Sequence, residues 1–187
     1  MPSQAFDQHG LPIAEVIARA ERLGRDEYLR QYADPFLVTL ADLSGIYDAD
    51  RTELTQLETP RGLAGALRGK RRIPETAVAW IVRKQQETFP SKITLGRANN
   101  NDLAIPHRSI SKFHAYFARR GEVWTITEAG SRNASKHNGV RITSELAPRA
   151  VNDRDVLQFG AAPEMLWVHA ATLLDLLEWQ RSPNAEG

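Results

Sequence analysis

Apolar residues recur along this chain with more than one period. Over Leu11–Leu40 the period is helical at first: Ile13, Val16, Ile17, Ala20 and Leu23 share one face, and Gly24 supplies a stop. "RDEYLRQY" predicts a second short helix with Asp26 near its start, ended by Pro35, and "FLVTL" reads as a brief extended segment. Two such helices bury too little surface to fold alone, so they are expected to dock on the rest of the chain. From Ser44 to Pro74 the period fades among Gly45, Pro60, Gly62, Gly65, Gly69 and Pro74, which predicts a linker with "LAGAL" as its helical stretch. From Thr76 the texture changes. "AVAWIVR", "KITLG", "FHAYFAR", "EVWTITE", "GVRIT", "DVLQFG" and "EMLWVH" are short, rich in β-branched or aromatic residues, and separated by Gly, Asn, Asp, Pro or Ser clusters. Their spacing of roughly ten residues predicts an antiparallel sandwich or barrel rather than an α/β fold. After His169, Leu173, Leu174 and Leu177 return to helical spacing.

The pattern divides the chain into a helical N-terminal extension over 1–43, a linker over 44–75, a mainly β domain over 76–170, and a C-terminal helix and tail over 171–187. A length of 187 residues and 42% hydrophobic content support one such domain with a real core. The net charge of +1, from 24 basic and 23 acidic residues, argues against a surface wholly committed to nucleic acid but allows a local patch. The absence of cysteine excludes disulfides, thiolate metal sites and a cysteine nucleophile. "MPSQAFDQHG" lacks a charged leader before an apolar core, and no apolar run reaches the ~20 residues of a spanning helix, so a cytoplasmic protein is expected.

The unusual polar residues fall in the turns of the β region, where binding residues gather on a rigid scaffold. Arg97 ends one strand, Ser111 and Lys112 precede the next, and "GSRNASKHNG" (130–139) forms a long turn two strands later. A guanidinium, a hydroxyl and an ammonium from two loops suit a dianionic phosphate, and an asparagine from a third loop suits a peptide backbone. Taken singly, these residues also fit plainer roles. Arg97 fits a solvated surface arginine, Ser111-x-x-His114 a helix start or a core polar pair, and Asn and Gly ordinary turn formers. Order and spacing favour the phosphate site.

In that order the residues resemble the forkhead-associated (FHA) domain family, a phosphothreonine-binding β-sandwich. The resemblance runs from about Ala77 to Val168. It is carried by Gly96-Arg97, by Asn101-Asp102-Leu103, by Ser111-x-x-His114, by Gly130-Ser131-x-Asn133, by Asn138-Gly139 and by "RDVLQFG". It implies a two-sheet antiparallel sandwich, with Arg97 and Ser111 on phosphate oxygens, Lys112 adding positive charge, and Asn133 holding the peptide backbone. Gly96 and His114 would be architectural, with His114 bracing the loop that aims Ser111. Asn138 and Gly139 suit a tight hairpin with positive φ. The chain departs from the family where Arg132 replaces the usual threonine and Ala134 the usual glycine. That threonine helps contact the phosphothreonine, so Arg132 alters the methyl pocket and offers a further cation to the ligand.

The implied function is a non-enzymatic phosphothreonine reader, partnered by a phosphothreonine-containing protein and dependent on an upstream Ser/Thr kinase. The alternative is a structural scaffold of the same fold with an idle phosphate site. Nucleic-acid binding through "RGKRR" (68–72) is disfavoured, because such pentamers are usually solvated linker. No Gly-rich phosphate loop and no HExxH motif supports an enzyme, and no motif asks for a metal or cofactor. Thr52, Thr55 and Thr59 lie near acidic residues in the linker and suit access by a kinase.

Overall fold

The computed structural model describes residues 8–41, 72–144 and 147–182. "LAGAL", most of "RGKRR" and the linker threonines lie outside the described residues. The predicted N-terminal helices form as α1 (Ile13–Leu23) and α2 (Arg25–Gln31). Gly24 separates them at φ 76°, a left-handed conformation that residues with a Cβ adopt at a cost, and its N–H still donates to the Ala20 carbonyl. The C-terminal helix is α3 (Ala170–Arg181). Asp153, distant in sequence, starts it by accepting the His169 N–H at 2.7 Å and the Thr172 hydroxyl at 2.8 Å.

Among the described residues the strands form two sheets. One contains, in spatial order, β1 (Leu11–Pro12), β3 (Val78–Ile81), β2 (Phe36–Thr39), β12 (Met165–Val168), β11 (Val156–Phe159), β8 (Ser135–His137) and β9 (Val140–Ile142). The other contains β10 (Arg149–Val151), β7 (Val123–Glu128), β6 (Ala115–Arg120), β4 (Ile93–Gly96) and β5 (Leu103–Ala104). All pairings are antiparallel except β4 with β5. The segment expected to be a helical extension therefore also supplies strands, because β2 pairs with both β3 and β12. The stretch expected to be one long turn over 130–139 contains β8, which Leu157–His137 and Phe159–Ser135 pairing holds in register.

Burial on both faces explains why β2, β3 and β12 read as unbroken apolar runs. Phe36, Val38, Ala79, Ile81, Leu166 and Val168 pack with Val16, Leu173 and Leu177 under the helices. Leu37, Trp80, Met165 and Trp167 point the other way, into the space between the sheets. There Trp167 meets Phe117 at 4.7 Å and Trp124 at 5.5 Å between ring centroids. Among the described residues the five-stranded sheet packs on one face, so β6 and β7 alternate: Ala115, Phe117, Trp124 and Ile126 are buried, while Tyr116, Ala118, Thr125 and Thr127 are half-buried. Helices, one sheet and the second sheet make three layers, and the strand-end loops are left to carry the site.

Candidate functional site

Gly96 ends β4, and the chain then bends against the loop before β6. Arg97 donates its N–H to the Ser111 carbonyl at 2.9 Å, and Ala98 donates to the Lys112 carbonyl at 3.3 Å. Asn101 reinforces the junction, its Nδ2 donating to the carbonyls of Ala98 and Lys112, each at 2.7 Å. A Cβ at Gly96 would collide with the Lys112 carbonyl oxygen, so only glycine permits this approach. Asp102 anchors the base of the same loop. Its carboxylate accepts from Lys84 Nζ, from the N–H groups of Gln85, Gln86 and Thr94, and from the Thr94 hydroxyl. Burial alone would raise its pKa, but these donors, Lys84 foremost, hold the carboxyl below its usual range.

Ser111 is aimed by two contacts. Its N–H donates to His114 Nδ1 at 3.0 Å, and its Oγ accepts the Arg132 N–H at 3.1 Å. An Nδ1 that accepts an N–H carries no proton, so the imidazole is neutral with its proton on Nε2. His114 is fully buried, its ring edge-on to Phe159 at 5.7 Å. Burial lowers its pKa to about 4, against a smaller opposing effect of Glu128. It is a brace, too deep to meet a ligand. Because Ser111 Oγ accepts from Arg132, the hydroxyl proton is free to be donated outward.

The turn after β7 is shaped by Glu128, whose carboxylate accepts the N–H of Gly130 at 2.6 Å and of Ser131 at 3.0 Å. Asn133 Nδ2 donates to the Ser109 carbonyl at 2.9 Å, tying this turn to the Ser111 loop and leaving its second N–H and Oδ1 for other partners. Ser109 is itself held. Its Oγ accepts the Ala161 N–H at 2.9 Å, and because His107 Nδ1 also accepts the Ser109 N–H at 3.2 Å, the hydroxyl donates to that nitrogen at 2.7 Å. Gly160, at φ 61°, lets the β11–β12 turn approach the Ser109 carbonyl.

Arg97, Ser111, Lys112, Arg132 and Asn133 thus lie on three loops that hydrogen-bond to one another. Arg97, Lys112, Arg132 and Asn133 are exposed. Among the described residues the Arg97 guanidinium uses only Nε, toward the Ile110 carbonyl at 3.3 Å, while the acids Asp102 and Glu128 are turned inward onto backbone N–H groups. The result is an outward-facing cluster of cations and donors, suited to an anion with several oxygens. Asn138 and Gly139 are elsewhere: at φ 49° and 78° they turn the β8–β9 hairpin. Asn138 Nδ2 and His137 Nε2 both bond Asp155, at 2.8 and 2.7 Å. Gly160 closes the "RDVLQFG" motif, whereas Ser109 and Glu128 belong to none of the motifs read from sequence. An acid placed two residues before a turn glycine was the available signal for Glu128; Ser109 offered none.

Residues 93–160 match the family model described as the FHA domain, within a mainly β, two-sheet fold that has helices toward either end. Solved structures are similar as well. The FHA domain of an Arabidopsis thaliana hypothetical protein is 28% identical, with a TM-score of 0.40 over 42% of this chain and 67% of that one. The FHA domain of a Chlamydia trachomatis protein is 17% identical, with a TM-score of 0.43 over 72% of this chain and 97% of that one. Mycobacterium tuberculosis EmbR, in complex with a low affinity phosphopeptide, is 22% identical, with a TM-score of 0.38 over 42% of this chain. The match spans only 20% of the EmbR chain. No curated protein matches this sequence.

Proposed function

We propose that the chain binds phosphothreonine in a partner protein, as an adaptor acting after a Ser/Thr kinase and without catalysis of its own. The observation that carries this reading is the arrangement around Ser111. A backbone N–H satisfies its oxygen, its proton is free, and the Arg97 and Lys112 side chains stand on the same pair of hydrogen-bonded loops. In this reading Arg97 and Ser111 donate to phosphate oxygens, Lys112 supplies charge, and Asn133 uses its remaining N–H and Oδ1 on the peptide backbone. Arg132 serves twice, its N–H orienting Ser111 and its guanidinium facing the ligand. A few charge-assisted hydrogen bonds of about 1.5–3 kcal/mol each account for much of the roughly −8 kcal/mol of a 1 μM complex.

The kinase-written mark implies a cytoplasmic place of action; among the described residues no helix is long and apolar enough to cross a membrane. A scaffold with an idle phosphate site is the competing reading, favoured by Arg132 and Ala134 where the family has threonine and glycine. A degenerate peptide library screened with phosphothreonine, phosphoserine or threonine at its fixed position separates the two. Selective capture of the phosphothreonine library supports the reader, and equal capture of the three supports the scaffold.

A further inference from the structure

The loop that offers Ser111 and Lys112 runs on into a residue without a role at the phosphate site. Phe113 is 37% exposed, and Phe89, from the segment between β3 and β4, is 42% exposed. Their rings are stacked with centroids 5.8 Å apart and 13° between planes. Tyr116, on the solvent face of β6, extends the stack, 6.3 Å from Phe113 at 16°. The Lys92 ammonium lies over the Tyr116 ring at 4.3 Å and 5.8 Å from the Phe89 centroid. A single exposed apolar side chain is ordinary, whereas rings from separate segments aligned into one ladder form a contiguous apolar surface, the kind that marks a contact site.

Its surroundings narrow the occupant. Beside the ladder the near positions of the open sheet face are uncharged: Tyr116 pairs with Thr127, Ala118 with Thr125, and Thr125 with Ala150, and the charge on that face of β6, Arg120, stands at the strand's far end. Of the nearby cations, Lys92 is already seated over rings, and Lys112 belongs to the phosphate site. With about two-fifths of each Phe exposed, the ladder is far smaller than the ~800 Å² per side of a stable dimer, but ample for one side chain. The rings also cover one another's faces, unlike the separate platforms on which bases stack. Phe113 stands two residues from Ser111, so their Cα atoms are at most ~7 Å apart. A bound strand advances about 3.3 Å per residue, and a side chain two or three residues from the phosphothreonine reaches the ladder.

We propose that Phe89, Phe113 and Tyr116 form a subsite for an apolar side chain, aromatic or branched aliphatic, within about three residues of the phosphothreonine in the same partner. The inference rests on the phosphothreonine reading. The test is a positional library of phosphothreonine peptides, each position from −3 to +3 fixed in turn, bound to the full chain as wild type, Phe113→Ser, Phe89→Ser and Arg97→Ala. Wild type is expected to select apolar residues at one position. Both Ser variants, checked for wild-type melting, are expected to bind the best apolar peptide about tenfold more weakly, with the preference gone and the phosphate requirement kept. Phe89→Ser lies outside the Ser111 loop and so guards against a simple loop disturbance. Arg97-dependent binding with no apolar preference, or with a preference unchanged in both Ser variants, overturns the subsite and leaves the phosphothreonine reading standing. No Arg97-dependent binding in any library overturns both. Binding of labelled oligouridylate, or dimerisation in sedimentation, that Phe113→Ser weakens and Arg97→Ala does not would overturn the subsite by giving the ladder another occupant.

Discussion

Gly96→Ala perturbs the site without substituting any residue proposed to meet the ligand. An added Cβ lies inside contact distance of the Lys112 carbonyl oxygen and 2.8 Å from both the Lys112 carbonyl carbon and Asn101 Nδ2. Two of these atoms are backbone, which cannot swing away as the end of a flexible side chain can. Restoring a carbon separation of ~3.5 Å requires the 111–112 segment to move outward by roughly 1 Å. That movement strains the Arg97 N–H to Ser111 carbonyl bond at 2.9 Å, the Ala98 N–H to Lys112 carbonyl bond at 3.3 Å, and the Asn101 to Lys112 bond at 2.7 Å. At about 0.5–1.5 kcal/mol each, the expected loss of stability is about 2–4 kcal/mol. The same movement separates Ser111 from Arg97, so phosphothreonine-peptide affinity should fall more than tenfold with every contact residue still present. Gly121→Ala is the control: it introduces strain at φ 58° with nothing within 4 Å of its Cβ, at a cost of about 1 kcal/mol and no loss of affinity. Urea unfolding and titration calorimetry on both variants provide the assay. Gly96→Ala with stability within ~0.5 kcal/mol of wild type and unchanged affinity would show that this junction does not hold the site.

Other outcomes follow from the same geometry. Arg132→Thr keeps the backbone N–H that orients Ser111, so peptide preference should change in a library screen while the melting temperature holds; unchanged preference would place the guanidinium away from the ligand. The folded His114 pKa of about 4 lies below the ordinary value of 6.5. The unfolded chain therefore takes up the proton first as pH falls. The stability His114 contributes is complete above pH ~6.5 and lost between pH ~6.5 and ~4, with a slope approaching 1.4 kcal/mol per unit. Urea titrations from pH 7.5 to 4.5 should show that slope in wild type and a shallower one in His114→Phe. Leu173→Ala empties a fully buried position of α3 and should cost about 2–5 kcal/mol while leaving peptide affinity unchanged, because the helical layer holds no site residue.

The elements that could be read from sequence were those whose pattern is local. The apolar positions of α1 and its stop at Gly24, the leucines of α3, and the alternation of β6 and β7 each appear within a dozen residues, because a single face meets the core. Short strands escaped notice. "SKH" of β8 and "RAV" of β10 have few apolar residues to signal, and partners far along the chain define them. "FLVT" was legible as extended but not as an interior strand, since its placement depends on pairing with residues 79–81 and 165–168. At the candidate site, Arg97, Ser111, Lys112 and Asn133 were legible as polar residues of successive loops, and the fold joins those loops by hydrogen bonds. Their supports were less so, because the roles of Glu128, Asp102 and Ser109 are hydrogen bonds made across folded loops. Phe113 gave no signal either: its partner Phe89 comes from another segment, and only the fold stacks them.

The central claim is that phosphate on threonine is read by Arg97 and Ser111. It is tested most directly by calorimetric titration of one library-selected peptide, with and without its phosphate, into wild type, Arg97→Ala and Ser111→Ala. The expected result is micromolar affinity for the phosphorylated peptide in wild type. Removal of the phosphate and Arg97→Ala should each abolish binding, and Ser111→Ala should weaken it strongly, with all three proteins melting alike. Equal binding of both peptide forms, or full affinity in Arg97→Ala, would contradict the account.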